Sequence, residues 1–299
     1  MAVSATAVVF LSACAGDASE EFDSVEDLVA AYQAAGGQCE DFVIYDEAGG
    51  EEAEVAHCGV DTVLSLTESD EQTSDVATGA MLRGQTVLVG AGWVVEDPDA
   101  VALREELGGA VLALQEGGTP ESVTDNAFVF GEGEPRIQVV VDPLCDYCNR
   151  FIETNGDALI ELADSGDATV EYRVVSLHDD PENGFGSSYG ANALACAADA
   201  DIDAFRPLLS TVLEGPSGEA WTESEFVGAA DRAGADAGDC IADGSFLFWA
   251  VQSTQDVLQN GLPDGENLGG VPYIAIDGQP YAQDVTDADA FLEAVGAAE

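Results

Sequence analysis

The chain of 299 residues contains no lysine, only two histidines and seven arginines. Its 59 acidic residues give it a formal net charge of −52. A nucleic-acid-binding protein neutralises phosphates with cationic side chains, and electrostatic docking on anionic lipid needs them too. We therefore expect no nucleic-acid partner. The carboxylates are spread along the chain, which favours a solvated acidic surface typical of high-salt habitats over a field that attracts cationic clients.

The signatures of metal and nucleotide sites are also missing. No GxxxxGK[ST] or HExxH pattern occurs, and the single Cys-x-x-Cys has no second pair with which to complete a four-ligand zinc site. The two histidines, His57 and His178, have no ligand spacing. We therefore expect no metal and no bound cofactor, and we interpret His57 as a structural polar residue rather than a base.

The apolar segment at residues 1–14 is too short to span a bilayer as a helix. It ends in Leu-Ser-Ala-Cys, which resembles the lipobox of bacterial lipoproteins, where the cysteine is lipidated after cleavage. This resemblance implies that Cys14 is lipidated, which would account for the odd number of cysteines, seven, in the chain. The alternative is an ordinary secretory peptide cleaved near Ala13 or Ala15. A positively charged leader is missing, so the true start could lie upstream. Both alternatives predict export, where disulfides persist.

One stretch of the chain indicates redox chemistry. The β-branched run Ile137–Val141 predicts a buried strand, residues 142–143 break it, and a helical pattern follows from Phe151. Cys145 and Cys148 stand at this strand-to-helix junction. The helix N-terminus favours a thiolate at the first cysteine, and the second lies one turn later, close enough to form a disulfide. The spacing therefore predicts a redox pair.

Residues 128–151, which contain this motif, resemble the start of a DsbA-type thioredoxin-fold domain. Gly269–Gly278 (Gly-Gly-Val-Pro-Tyr-Ile-Ala-Ile-Asp-Gly) resembles the cis-proline loop and the strand that follows it. The likeness covers about Asn126 to Glu299. It implies that Cys145 is the exposed sulfur that exchanges with clients and that Cys148 is the resolving sulfur.

The resemblance also implies that the Val271–Pro272 bond is cis and packs across from Cys145, with the Val271 backbone holding the client as an added strand. One departure is the dipeptide Asp146-Tyr147, which replaces the Pro-His of the strongly oxidising prototype. Asp146 adds a like charge near the thiolate and Tyr147 supplies no cation. We therefore expect a less oxidising couple than the prototype's roughly −120 mV, though one still able to oxidise exported clients.

The sequence predicts an α/β protein in which a small α/β domain precedes a thioredoxin fold with an inserted helical subdomain. Cys39 and Cys58 flank the first hairpin of the small domain, and we pair them. No catalytic constellation is evident there. The predicted segments are a signal segment and acidic tether (1–23), the small domain (24–107), a linker (108–127) and the DsbA-like domain (128–299).

Within the second domain, the alternating run 168–175 predicts a strand and residues about 178–262 predict the insertion. Pairing Cys196 with Cys240 would staple the insertion, as a similar disulfide does in some DsbA-like relatives; the alternative is two buried free thiols. Phe246, Phe248 and Trp249 are interpreted as core, with a client groove as the alternative. The predicted insertion helices are 187–198, 202–213, 223–233 and 246–260, and a strand at 273–276 and a helix at 288–298 follow.

These features predict an enzyme that forms disulfides in exported proteins and is lipid-anchored to the outer face of the cell membrane. Its partners would be reduced exported clients and an unidentified membrane protein that reoxidises the pair. The alternatives are a reductase or isomerase of the same fold, a secreted soluble enzyme, and a redox-silent binding lipoprotein. The intact Cys145–Cys148 motif argues against the last.

Overall fold

The computed structural model describes residues 21–45, 54–215 and 221–296. The chain forms two units, one that ends at Gln115 and one that starts at Glu116. The predicted signal segment and its Cys14 lie outside the described residues. Within the described ranges, no helix is both long enough and apolar enough to cross a membrane.

The first unit contains a six-stranded sheet in the order β1-β2-β3-β5-β4-β6, and every neighbouring pair is antiparallel. A disulfide joins Cys39 to Cys58 in this unit. The strands are β1 (Val43–Tyr45), β2 (Glu54–His57), β3 (Val63–Leu66), β4 (Val87–Gly90), β5 (Trp93–Glu96) and β6 (Ala110–Leu112), and the helices are α1 (Val25–Ala34), α2 (Asp70–Leu82) and α3 (Ala100–Leu107).

Helix α1 begins where its sequence pattern indicates. The Ser24 hydroxyl accepts the N–H of Asp27 at 3.2 Å, which caps the free end of the helix. Its apolar positions recur every three or four residues and are buried in the core of this unit: Val25, Leu28, Val29 and Tyr32. The helix is therefore held by one amphipathic face.

The second unit is built on a mixed sheet in the order β12-β11-β9-β10-β8-β7. Its strands are β7 (Val123–Thr124), β8 (Ala127–Phe130), β9 (Arg136–Val141), β10 (Thr169–Val174), β11 (Tyr273–Ile276) and β12 (Gln279–Pro280). The predicted linker thus contributes β6 to the first unit's sheet and β7 to the second's.

Strands β9 and β10 pair in parallel, with Val141 opposite Val174 at their carboxyl ends. A parallel pair needs a crossover connection, and helix α4 (Asp146–Ser165) provides it. Strand β11 runs antiparallel on the other side of β9, with Tyr273 opposite Val140. Since β11 starts beside the end of β9, the Pro272 that precedes it lies near the turn that follows β9.

Among the residues described between β10 and β11, there are five α-helices, one more than the sequence predicts. They are α5 (Gly186–Ala200), α6 (Phe205–Glu214), α7 (Glu223–Ala233), α8 (Gly238–Ala242) and α9 (Leu247–Asn260). The short α8 was not predicted because five residues contain no helical periodicity. It carries Cys240, which is bonded to Cys196 of α5. Helix α10 (Ala288–Ala294) follows β12.

An aromatic cluster anchors the insertion to the sheet. The ring of Phe205, at the start of α6, stacks on Phe128 of β8 with 4.3 Å between the ring centroids. Trp249 of α9 meets Phe128 edge-on and is buried, while Phe246 and Phe248 are half-buried. This confirms the inserted helical subdomain as part of one hydrophobic core with the sheet.

We predict that Phe205→Ala lowers the free energy of unfolding of the second unit by about 3–5 kcal/mol, because a fully buried ring leaves a cavity among aromatic neighbours. Hydrogen exchange of the β10 amides measures that unit alone. Leu258→Ala, at a half-exposed position of α9, is the control and should change it by no more than about 0.5 kcal/mol. Equal effects of the two substitutions would contradict this account of the core.

Candidate active site

Cys145 is the N-cap residue of α4, and its sulfur accepts the N–H of Cys148 at 3.2 Å. Both cysteines are free thiols and both are buried: Cys145 is 7% exposed and Cys148 is fully inaccessible. The expectation of an exposed Cys145 is therefore wrong in degree, because neighbouring groups cover most of this residue. The order of accessibility still distinguishes an outer sulfur from an inner one.

The loop that precedes β11 contacts the outer sulfur. The peptide bond between Val271 and Pro272 is cis, and the Cys145 thiol donates to the Val271 carbonyl oxygen at 3.4 Å. A proline just before a strand costs no ladder hydrogen bond, so Pro272 is compatible with β11 starting at Tyr273. The Val271 backbone is thus the polar group that faces the sulfur from across the turn.

The two thiols differ strongly in acidity. The pKa of Cys145 is lowered to about 7, first by a hydrogen bond from the Cys148 thiol, then by the backbone N–H groups of Cys148 and Tyr147 and by the charge of His178, while burial opposes these effects. Burial, and then the neighbouring Cys145, raise the pKa of Cys148 far above its ordinary value. Near neutral pH the outer sulfur is therefore substantially ionised and the inner one is protonated.

A fully buried carboxylate, Asp142, lies at the end of β9 and organises the surrounding turn. One of its oxygens accepts the Leu144 N–H at 2.8 Å and the Ser187 hydroxyl at 2.7 Å. The other accepts the backbone N–H groups of Leu177, at 2.5 Å, and His178, at 3.2 Å. Its charge is thus balanced by hydrogen bonds, as a buried ion requires.

The imidazole of His178 completes this arrangement, since its Nδ1 lies 3.2 Å from the second Asp142 oxygen. The hydrogen bond to Asp142 raises the pKa of His178, and the charges of Asp142, Cys145 and Asp179 act in the same direction, against partial burial. The histidine side chain is half-exposed. It therefore connects the buried carboxylate to solvent at the edge of the site.

The Asp146-Tyr147 dipeptide lies on the surface, with Tyr147 60% exposed. The guanidinium carbon of Arg150 sits 5.0 Å from the centroid of the Tyr147 ring, a cation–π arrangement. From its sequence, the dipeptide itself supplies no positive charge near Cys145. The fold instead places the Arg150 guanidinium beside the dipeptide, and the charge of His178 contributes to the lowered pKa of Cys145.

Sequence reasoning missed Asp142 and His178 as members of the site, although a signal for them was present. Each residue follows shortly after a predicted strand, and β9 and β10 are parallel neighbours whose carboxyl ends meet at one edge of the sheet. Polar residues at such an edge are expected to come together. The sequence alone does not show that β9 and β10 pair in parallel, so it does not place His178 beside Asp142.

The remaining singled-out residues lie elsewhere. Cys39, Cys58, Cys196 and Cys240 are in their two disulfides, and His57 is on β2 of the first unit. Among the described residues, no group of three or more histidine, cysteine or carboxylate side chains is placed to hold a metal ion. The site is thus formed by the β9–α4 turn, the residues after β10 and the cis-proline loop.

Several solved structures resemble this chain. The reduced form of a disulfide bond oxidoreductase (DsbG) from Mycobacterium tuberculosis matches with a TM-score of 0.50 at 20% identity, over 60% of this chain and 88% of the other. MdbA, a thiol–disulfide oxidoreductase from Corynebacterium diphtheriae, matches with a TM-score of 0.50 at 19% identity, over 60% of this chain and 95% of the other. MdbA from Actinomyces oris matches with a TM-score of 0.51 at 16% identity, over 60% of this chain and 90% of the other.

No curated protein matches the sequence at a significant level. The structural likeness, at such low identity, shows the fold alone. Residues 129–295 match the family model described as Thioredoxin, which covers more than half of the chain. The chain therefore belongs to this thioredoxin family, and its second unit has the DsbA-like form of the fold.

Proposed function

We propose that the protein is an exported thiol–disulfide oxidoreductase that forms disulfides in other exported proteins through Cys145 and Cys148. The observation that carries this proposal is the geometry of two thiols one helical turn apart, in which the Cys145 sulfur accepts the Cys148 N–H at 3.2 Å and lies 3.4 Å from the Val271 carbonyl oxygen. This geometry separates the two acidities, with the pKa of Cys145 lowered to about 7 and that of Cys148 raised. A redox-silent scaffold has no need for such a difference. Perturbed pKa values of this kind accompany chemistry.

The reaction starts from the Cys145–Cys148 disulfide. A client thiolate attacks the Cys145 sulfur, the bond to Cys148 breaks, and Cys148 takes a proton. A second client thiolate then attacks the client sulfur of the mixed disulfide and expels Cys145 as a thiolate. The client loses two electrons and the enzyme gains them, so a partner must remove them again.

The acidity of Cys145 also supports the direction. Groups that stabilise the Cys145 anion stabilise the dithiol relative to the disulfide, and a couple with a stabilised dithiol is a stronger oxidant. A reductase would instead depend on Cys148 attacking the mixed disulfide with the client, which requires a thiolate that burial disfavours. This comparison favours disulfide formation over reduction as the net reaction, whereas an isomerase would use the Cys145 thiolate alone.

The client would be held as an extended strand by the backbone at Val271. This segment faces Cys145 with its carbonyl oxygen at 3.4 Å, and main-chain hydrogen bonds to an added strand are tolerant of client sequence. Such tolerance suits an enzyme with many clients. The reoxidising partner would be a membrane protein, and anchoring through a lipidated Cys14 would keep the enzyme close to it.

The test uses Cys148→Ser after Ellman's reagent has converted Cys145 to its mixed disulfide with thionitrobenzoate. We predict that reduced client thiolates attack the Cys145 sulfur, expel thionitrobenzoate and leave a client–Cys145 mixed disulfide, and that the matched Cys145→Ser variant treated in the same way forms none, because only the outer sulfur is attacked. Non-reducing electrophoresis after acid quenching measures the adducts. In the reduced wild-type protein, the alkylation rate of Cys145 should be half-maximal near pH 7. Adducts on Cys148 in the Cys145→Ser variant, or no adducts at all, would sink the assignment.

Asp146 offers a separate test of local electrostatics. Asp146→Asn removes a like charge beside Cys145, so we expect the pKa of Cys145 to fall by about 0.3–1 unit at low salt and by less at high salt. The pH dependence of alkylation measures this shift. Asp157→Asn is the control, because this exposed carboxylate lies about 18 Å further along α4 and should have no effect. If the pKa of Cys145 does not change, the Asp146 charge has no part in its acidity, which the Cys148 thiol, the backbone N–H groups and His178 would then set.

The lipid anchor predicts that inhibition of lipoprotein signal peptidase leaves an uncleaved precursor in the cell envelope. Mass spectrometry of the mature N-terminus should find a lipidated Cys14, and Cys14→Ser should release the protein from the membrane fraction. Cleavage after this residue, with a free N-terminus at Ala15 or beyond, would instead identify a secreted soluble enzyme.

A further inference from the structure

We propose that His178, held by Asp142, is a positioning residue that supplies the positive charge for the Cys145 thiolate and makes the oxidising power of the enzyme depend on pH. This inference rests on the proposed function and adds a regulator to the same site. It assigns a role to a histidine that lies 33 positions after the cysteine in sequence and belongs to another element.

The geometry links His178 to the active-site turn through one residue. The backbone carbonyl of Asp142 accepts the N–H of Cys145 at 3.1 Å, and its carboxylate accepts from Nδ1 and the backbone N–H of His178, each at 3.2 Å. The same aspartate thus fixes the start of α4 and the orientation of the imidazole. With Nδ1 occupied by the carboxylate, the other ring nitrogen remains to carry the exchangeable proton.

Asp142 is well suited to hold this histidine in its charged form. It is fully buried, and its other hydrogen bonds come from Leu144, Leu177 and Ser187, so it cannot turn away to solvent. An isolated buried carboxylate is costly, and a cation within hydrogen-bonding distance offsets that cost. Protonating His178 therefore improves the electrostatics of both Asp142 and an ionised Cys145.

Three charged groups face His178 from the elements packed around it: Asp142 at the end of β9, Cys145 at the start of α4, and Asp179 in its own loop. Asp179 accepts the N–H and the hydroxyl of Ser188 on α5, at 3.0 and 2.5 Å, and burial raises its pKa to about 6. Above that pH, all three groups are negative or becoming so, and each favours the imidazolium.

The sign of the pH dependence follows from reciprocity. If the imidazolium stabilises the thiolate, the thiolate stabilises the imidazolium by the same free energy. The pKa of His178 is raised above 6.5 in the dithiol form. The imidazolium therefore stabilises the thiolate at pH values below that raised pKa, and this stabilisation is lost as the pH rises through it. Disulfide formation removes the thiolate, so the His178 pKa should fall on oxidation.

A titration of the wild-type protein tests this directly. The chain has only two histidines, so the imidazole Cε1–H resonances of His178 and His57 can be followed by NMR in the dithiol and disulfide forms. We expect the His178 midpoint to be higher in the dithiol form by about 0.5 unit or more, a threefold change in proton affinity. Equal His178 midpoints would overturn the proposal.

Variants provide the second readout. His178→Gln should slow alkylation of Cys145 about three- to tenfold at pH 6 and leave the rate nearly unchanged at pH 9, where Cys145 is ionised with or without the imidazolium. His57→Gln is the matched control, with no effect at either pH. Asp179→Asn should leave a residual pH dependence, because Asp142 remains. A rate loss that persists undiminished at pH 9 would indicate a structural defect instead and overturn the proposal.

Failure of this inference can be told apart from failure of the proposed function. The NMR and alkylation measurements need no client, so they report on the coupling whether or not the enzyme oxidises proteins. Oxidation of a reduced client by the wild-type disulfide form reports on the function whether or not His178 is coupled. A protein that oxidises clients with uncoupled His178 contradicts only the inference.

Discussion

The active site depends on the hydrogen bonds that the Cys145 sulfur accepts at the start of α4. The N–H and the thiol of Cys148 both point at it, and the end of β9 brings Asp142 beneath the same turn. Because β10 and β11 flank β9, the residues that follow β10 and precede β11 arrive at this edge of the sheet. The strand order therefore positions His178 and the cis-proline loop around one sulfur.

This arrangement explains how a thiolate is stabilised in a chain with a net charge of −52. Long-range repulsion from surface carboxylates acts through solvent and is screened beyond roughly 10 Å at moderate salt. Contacts at hydrogen-bonding distance are hardly screened, and those at Cys145 lower its pKa. Local groups can thus govern the acidity of the Cys145–Cys148 pair despite the acidic composition of the chain.

Much of the fold could be predicted because its signals are local. The β-branched run of β9 and the periodicity of α7 and α9 locate these elements to within one residue, and the Gly-Gly-Val-Pro pattern locates the loop before β11. The short α8 and the burial of Cys145 could not be predicted, because they depend on tertiary packing. The pairing of Asp142 with His178 depends on strand register, which single-sequence patterns do not supply.

The most direct test of the account is the reduction potential of the Cys145–Cys148 couple at pH 7, measured by equilibration with glutathione buffers. A Cys145 pKa of about 7 and the acidic dipeptide predict a couple less oxidising than DsbA, at roughly −120 mV, and the proposed formation of disulfides in clients requires one more oxidising than thioredoxin, at roughly −270 mV. The account predicts a value between these limits. A potential at or below that of thioredoxin would contradict it, because the dithiol would then have no special stability.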